Sequence, residues 1–213
     1  MYKNKITNYF LLVFLLLNAP VLLAQKTVDS SANSAGFSFA TDLTEVEPVI
    51  HYQQNIQMLS GIDDRPSLKV FGSGRVVVHF PVYMKKSGDY EMQLDDEELV
   101  DLIQSLSSNG VMDFDKNKVK SNVQSYKNEL RKKGVFYEVS DAVETVIDIR
   151  MDEFQKNNKT KNIKSFYKQF KWKNIEQDAT RFKDVSEVVR ANQSITYLNA
   201  LMKDSRLKKR TGK

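Results

Sequence analysis

The sequence predicts an α+β fold: an antiparallel sheet of about four to five strands with helices packed on one face, after an N-terminal signal peptide. Segments of alternating apolar and polar residues lie on both sides of two amphipathic helical segments, and another helical segment follows. The turns between neighbouring strands are short, which favours antiparallel pairing. A helix with one apolar side must pack that side on a second layer, and the sheet supplies it.

The beginning of the chain has the order of a secretory signal. Lys3 and Lys5 precede an unbroken apolar run at residues 9–17, and Ala24 offers a small residue to signal peptidase. The run is too short to span a bilayer. Leu22 stands where a cleavage site usually has a smaller residue, so an uncleaved N-terminal anchor is the alternative. Cleavage predicts a periplasmic or secreted chain with no stable membrane span.

Composition limits the function classes. Removing 24 of the 213 residues leaves 189, enough for one domain with a real core, and lowers the formal charge from +5 to +3. This charge is far from the clustered excess of a nucleic-acid binder, so we expect no nucleic-acid partner. The chain has no cysteine, which excludes disulfides and a thiol nucleophile. An exported protein without disulfides fits a bacterial periplasm better than an animal secretory pathway.

The chain divides into four predicted segments. They are the signal peptide at residues 1–24, a flexible lead-in at 25–46, a single α+β domain at 47–204 and a basic, frayed tail at 205–213. The lead-in is rich in Ser, Ala and Thr and has no sustained period. Regular patterning begins after Pro48, where residues 49–53 supply a first strand.

The segment "KVFGSGRVVVHFPV" at residues 69–82 predicts a β-hairpin. A three-residue loop, Gly72-Ser73-Gly74, pairs Val70 with Val76 and keeps apolar residues on one face of the sheet, whereas a two-residue loop mixes the faces. Gly74 suits the positive φ of the last loop position. Because the glycines join two strands and do not lead into a helix, they do not predict a phosphate-binding loop.

Two helices follow a polar turn at residues 84–92. Asp95 is the predicted N-cap of the first helix and forms a capping box with Glu98, while Gly110 ends the helix. The second helix is predicted from Asp115 to Lys133, with a narrow apolar stripe.

The later part of the chain predicts further strands and a last helix. Residues 163–173, "IKSFYKQFKWK", fit either a strand or a helix, and their aromatic content and the preceding strand favour a strand. The last helix is predicted to begin with a second capping box, from Asp184 to Glu187.

The candidate interaction residues are His79, Arg75, Tyr167 and Trp172. His79 and Arg75 share the outer face of the hairpin, and Tyr167 and Trp172 belong to a segment in which lysines alternate with aromatic residues. Such a segment suits single-stranded nucleic acid or an anionic sugar polymer. The predicted export and the modest net charge favour the alternative, in which one strand face lies in the core and the lysines guard the other. The sequence has no elbow motif around a serine and no metal-ligand spacing, so we expect no enzyme activity, metal or cofactor.

The series "KVFGSGRVVVHFPVYMKKSGDYEMQLDDEELVDLIQSL", followed by "YEVSDAVETVIDI" and "FKWKNIEQDA", resembles small uncharacterised secreted proteins of Gram-negative bacteria. The resemblance covers residues 48–202 and implies a domain of unknown function. Its turns often contain Gly-Asp-Gly, where this chain has Ser73. No site residue is carried over.

The functional prediction is a non-catalytic binding or interaction domain for an envelope protein or polymer. One alternative is an inhibitor of an extracytoplasmic enzyme that presents the loop Gly72-Ser73-Gly74. Another is a hydrolase that uses His79 or His51, since histidine is the usual general base.

Overall fold

The computed structural model describes residues 25–29, 36–56, 64–136 and 142–211, the first range by its backbone alone. The predicted signal peptide lies outside these residues. The described chain is α+β, with the following elements in order: β1 Gln25–Asp29, β2 Ser38–Asp42, β3 Ile50–Ile56, β4 Ser67–Val70, β5 Arg75–Phe80, β6 Gly88–Gln93, α1 Asp96–Ser108, α2 Lys116–Lys132, β7 Val143–Gln155, β8 Ile163–Lys173, α3 Ile175–Arg181, α4 Ser186–Leu201 and β9 Lys208–Lys209.

The described strands form one antiparallel sheet. Its order is β1-β2-β7-β3-β4-β5-β6-β9, and β8 pairs with β7 as well. Strand β3 pairs with residues 143–149 of β7 and β2 with residues 153–155, while β8 pairs along residues 144–154. A strand has only two edges, so β3 and β2 share one edge of β7 and β8 occupies the other.

One face of the sheet forms the core with the helices. Alternate residues of the central strands, such as Tyr52, Val78 and Ile147, are completely buried, and they belong to the same cluster as the buried sides of all four helices. Residues on the opposite face of these strands are mostly half-buried or exposed. The helices therefore cover one face, as the sequence predicts, and the other face is an outer face.

The predicted hairpin is confirmed in its register. Val70 pairs with Val76, and Leu68 pairs with Val78. The Phe71 amide donates to the Arg75 carbonyl at 2.9 Å, which closes the three-residue loop. Gly74 has φ +84°, the left-handed conformation expected at this position.

The first two helices and the strand at residues 163–173 are also confirmed. The Glu98 amide donates to Asp95 Oδ1 at 2.9 Å and the Asp95 amide to Glu98 Oε2 at 3.0 Å, completing the capping box. Asp115 is the N-cap and Lys133 the C-cap of α2, which matches the predicted bounds. In β8 the inward-facing Phe170 is buried, as alternation requires.

The prediction of four to five strands is wrong, because the sheet has nine described strands. The predicted flexible lead-in contains β1 and β2, and Phe37 and Phe39 are buried in the core. The predicted polar turn contains most of β6, and the predicted frayed tail supplies β9, which pairs with β6. Strand β6 has one buried residue and β9 has none, so neither strand produces an alternating pattern of apolar residues, and the three buried residues of β2 are consecutive.

The second capping box is also wrong. The N-cap of α4 is Val185, and no side chain caps it. A short helix, α3, precedes α4, and the two are joined by a tight connection in which the Val185 amide donates to the Phe182 carbonyl at 2.9 Å. Burial of Val185 and Phe182 in the core fixes this connection, so packing decides where α4 begins.

We expect Gly74→Ala to destabilise the protein more than Gly110→Ala. Both glycines have positive φ, but a Cβ on Gly74 would lie 2.4 Å from the Leu94 carbonyl oxygen, whereas a Cβ on Gly110 meets nothing within 4 Å. The loss in unfolding free energy, measured by urea denaturation, should be about 2–4 kcal/mol for Gly74→Ala and about 1 kcal/mol for Gly110→Ala. Equal losses would contradict the close packing of the loop.

Candidate functional site

Arg75 is held at the base of the hairpin loop. Its Nε lies 2.8 Å from Glu45 Oε2, and its guanidinium lies 4.1 Å from the centre of the Phe71 ring. Glu45 also accepts a hydrogen bond from the Ser73 hydroxyl, which, with the Arg75 contact, lowers the pKa of this carboxyl. Both loop glycines are buried. The loop is thus packed against the chain and does not project, so it gives the inhibitor alternative no support.

His79 lies between two carboxylates on the outer face. Its Nδ1 is 2.6 Å from Asp89 Oδ1, and its Nε2 is 2.5 Å from Asp64 Oδ1. The hydrogen bond to Asp89, followed by the one to Asp64, raises the pKa of His79, and the bond from His79 lowers the pKa of Asp64. Both ring nitrogens are occupied, so neither is free to take a proton from a substrate.

His51 does not lie beside His79. It pairs with Lys69 of β4, which pairs with Val77 of β5, so the two histidines are separated by two strand spacings and two residues. That places them about 10 Å apart across the strands and about 7 Å apart along them. Burial, followed by the charge of Lys69, lowers the pKa of His51. The structure therefore does not bring the histidines together as a catalytic pair.

Tyr167 is exposed on the outer face of β8. Its hydroxyl donates to Asp148 Oδ1 at 2.8 Å, and the Gln169 amide donates to the same oxygen at 3.0 Å. The Arg150 guanidinium lies 5.2 Å from the centre of the Tyr167 ring. These contacts fix the ring against its own sheet while 53% of the residue stays accessible.

Trp172 lies on the inner side of β8 and is only 5% exposed. Its indole nitrogen donates to Asp178 Oδ2 at 2.9 Å, and its ring contacts that of Phe114 edge to face. Burial raises the pKa of Asp178. With its ring covered and its N–H occupied, Trp172 is not a platform on which a base or sugar could stack. Tyr167 and Trp172 therefore do not form one aromatic surface.

Trp172 instead lies in the wall of a cleft between α2 and the end of β8. This basic cleft has a volume of about 520 Å³. Its lining contains five lysines, two acids and four other residues: Lys116, Lys120, Lys127, Lys171, Lys173, Glu144, Asp178, Ser121, Val123, Gln124 and Trp172. The five lysines exceed the two acids by three formal charges.

The lysines of the basic cleft differ in how they are paired. Lys171 Nζ lies 3.0 Å from Glu144 Oε2, and Lys127 Nζ lies 5.4 Å from the centre of the Phe182 ring. Lys116, Lys120 and Lys173 are exposed and form no ion pair within the described part of the chain. Three cations in the cleft are therefore available to an anionic ligand.

The lysines of α2 were not among the predicted interaction residues. Lys116, Lys120 and Lys127 lie within about 40° of one another around the helix, because α-helical residues advance by about 100° each. That spacing is visible in the sequence. The sequence does not show that β8, which begins 36 residues after Lys127 (163 − 127), lies opposite this face of the helix.

A second cavity, of about 460 Å³, is lined by residues of α3, β3, the end of α4 and the segment after β5. Phe80, Tyr83 and Met84 contribute to its wall. A polar network also reaches it: Gln54 Nε2 donates to the Tyr52 hydroxyl at 2.7 Å, which donates to Asn199 Oδ1 at 2.8 Å. Burial raises the pKa of the Tyr52 hydroxyl. The network is satisfied internally and anchors α4 to β3.

Comparisons with protein-family models, curated proteins and solved structures find no match to the chain. The resemblance to secreted proteins of Gram-negative bacteria therefore stays a prediction. Within residues 36–56, 64–136 and 142–211, no three side chains of His, Asp or Glu are grouped to hold a metal ion. No helix among the described residues is both long and apolar enough to cross a membrane.

We expect His79→Gln to destabilise the protein more at about pH 5.5 than at about pH 8.5. The folded pKa of His79 is raised above its ordinary value of 6.5, so its contribution is complete below that value and declines as the pH rises through the folded pKa. Asp64, whose pKa is lowered, remains ionised at the lower pH. Urea unfolding of both proteins at the two pH values measures the difference.

His51→Gln is the matched control for this experiment. Because the folded pKa of His51 is lowered, its protonation opposes folding, and its replacement should cost less at the acidic pH than at the alkaline one. A loss from His79→Gln that is the same at both pH values would contradict the charged contacts of His79.

Proposed function

We propose that the chain is an exported, non-catalytic binding domain whose basic cleft recognises a negatively charged envelope protein or polymer. The observation that supports it most is the set of exposed lysines, Lys116, Lys120 and Lys173, that have no ion-pair partner among the described residues. Like charges in one cleft repel each other, and an anionic ligand relieves that repulsion. A cleft also concentrates the field of its charges on a ligand.

The contacts of the aromatic residues favour recognition by charge. Binding of single-stranded nucleic acid needs exposed rings on which bases stack. Trp172 and Phe170 are buried, and the Tyr167 ring lies on the other face of β8. Among the described residues, the basic cleft thus offers cations without an exposed aromatic ring, which suits an anionic protein or polysaccharide better than a nucleic acid.

The environments of the histidines support a non-catalytic role. Both nitrogens of His79 contact carboxylates, and His51 lies two strands away. A hydrolase that used either residue would need a nucleophile within hydrogen-bond reach of a free ring nitrogen. Among the described contacts, neither histidine has a serine or threonine hydroxyl as hydrogen-bond partner.

Export follows from the predicted signal peptide. Cleavage after Ala24 would remove the signal and keep residues Gln25–Asp29, which pair with β2. The proposed location is the periplasm or the exterior of the cell.

We expect Lys116→Gln/Lys120→Gln to weaken binding to isolated Gram-negative envelopes. Loss of two exposed charges should lower the affinity roughly tenfold. Added salt should also lower the affinity of the unchanged protein for the envelopes, because it screens the same charges. Cosedimentation measures the fraction of the protein that binds to the envelopes. Treating the envelopes with protease beforehand distinguishes a protein ligand from a polymer ligand.

The control Lys118→Gln/Lys133→Gln removes the same charge outside the cleft and should bind normally. Equal binding by both variants would contradict the proposal.

We expect export to produce a mature chain that begins at Gln25. The chain, expressed in a Gram-negative host, is fractionated, and the periplasmic form is analysed by N-terminal sequencing and intact mass. A membrane-bound protein that retains Met1 would contradict cleavage and favour the uncleaved anchor.

A further inference from the structure

Strand β8 has an edge that no other described strand covers. Ten of its eleven residues pair with β7, Ser165 being the exception, and within the described residues it has no second neighbour. An uncovered edge presents backbone N–H and C=O groups that can pair with an added strand. At the opposite end of the sheet, by contrast, β9 covers part of the edge of β6.

The basic cleft lies at the last residues of β8. Lys171, Trp172 and Lys173 are consecutive residues of this strand, and all three line the cleft. Successive side chains of a strand point to opposite faces of the sheet, so a cleft that contacts all three passes either the edge or the end of the strand. The lining also contains Glu144 of β7, which pairs with Lys173 and forms an ion pair with Lys171. Because β7 occupies one edge of β8, a strand could be added here only along the uncovered edge.

The charges of the cleft select what can bind there. A second copy of β8 would bring further lysines against Lys171 and Lys173, and like charges side by side oppose pairing. An acidic segment would meet lysines on both sides: those of β8 and, across the cleft, Lys116 and Lys120 of α2. The lysines thus disfavour pairing with a second copy of β8 and favour pairing with an acidic segment.

We propose that the ligand of the basic cleft is an extended acidic segment of a partner protein, which adds a strand to the uncovered edge of β8 at Lys171 to Lys173. This inference rests on the proposed binding function and specifies its ligand. A peptide is favoured over a polysaccharide or phosphate polymer because a peptide alone can pair its backbone with the strand edge while its carboxylates meet the lysines.

Trp172 allows binding to be measured directly. It is the only tryptophan of the chain and lies in the wall of the cleft, so its fluorescence reports on an occupant. The first probe is a ten-residue peptide in which Glu and Thr alternate. A second peptide has the same sequence, but four consecutive backbone amide nitrogens at its centre are methylated. Methylation keeps the charge of the peptide and removes hydrogen-bond donors from both of its edges. Polyphosphate of equal charge is the third probe.

The first peptide should change the Trp172 emission and bind at least about tenfold more tightly than the methylated peptide and the polyphosphate. Lys116→Gln/Lys120→Gln should weaken it, while Lys118→Gln/Lys133→Gln should not. Equal binding of both peptides, or preferential binding of polyphosphate, would overturn strand addition and leave the proposed anionic ligand in place. Binding that neither lysine double variant affects would overturn both strand addition and the proposed recognition of an anionic ligand by the basic cleft.

The comparison does not depend on whether a variant folds, because the two peptides are tested on the unchanged protein. The lysine variants are accepted only if their unfolding free energies match that of the unchanged protein, which is expected for exposed side chains away from the core.

Discussion

Pairing along both edges of β7 is the constraint on which the rest of the fold depends. Strands β3 and β2 lie end to end on one edge and β8 lies on the other. The inward residues Ile147, Ile149 and Met151 lie in the same core as the helices, so β7 also anchors the layer above the sheet. Its position determines where β8 ends, and hence where the basic cleft lies beside α2.

The parts of the fold that the sequence predicts are those in which side chains of one strand or helix determine the geometry. The register of the hairpin follows from the alternation of Val76 and Val78, and α1 follows from Asp95 and Glu98, because these effects act over a few residues. Strand β6 escapes prediction because Met92 is its only buried residue, and β9 because backbone pairing alone forms it.

For the candidate site too, the sequence predicts the features that depend on neighbouring residues and misses those that depend on contacts between distant segments. Alternation separates Tyr167 from Trp172 and places them on opposite faces of β8, as the structure confirms. Which of them is covered depends on the docking of Phe114 and α2, a contact between segments that are distant in sequence. The cleft is a product of that docking, so its α2 lysines appear in the sequence only as the exposed side of a helix.

The sheet also fixes when the chain can fold. Ile50 pairs with Ile149, and Phe39 pairs with Phe154, so the first strands of the core wait for partners roughly a hundred residues further along. Such non-local pairing is slow, because long loops must close before it becomes favourable. The sheet can therefore be completed only after β7 has been synthesised. For a chain exported as proposed, this late completion of the core would leave it unfolded for longer before it crosses a membrane.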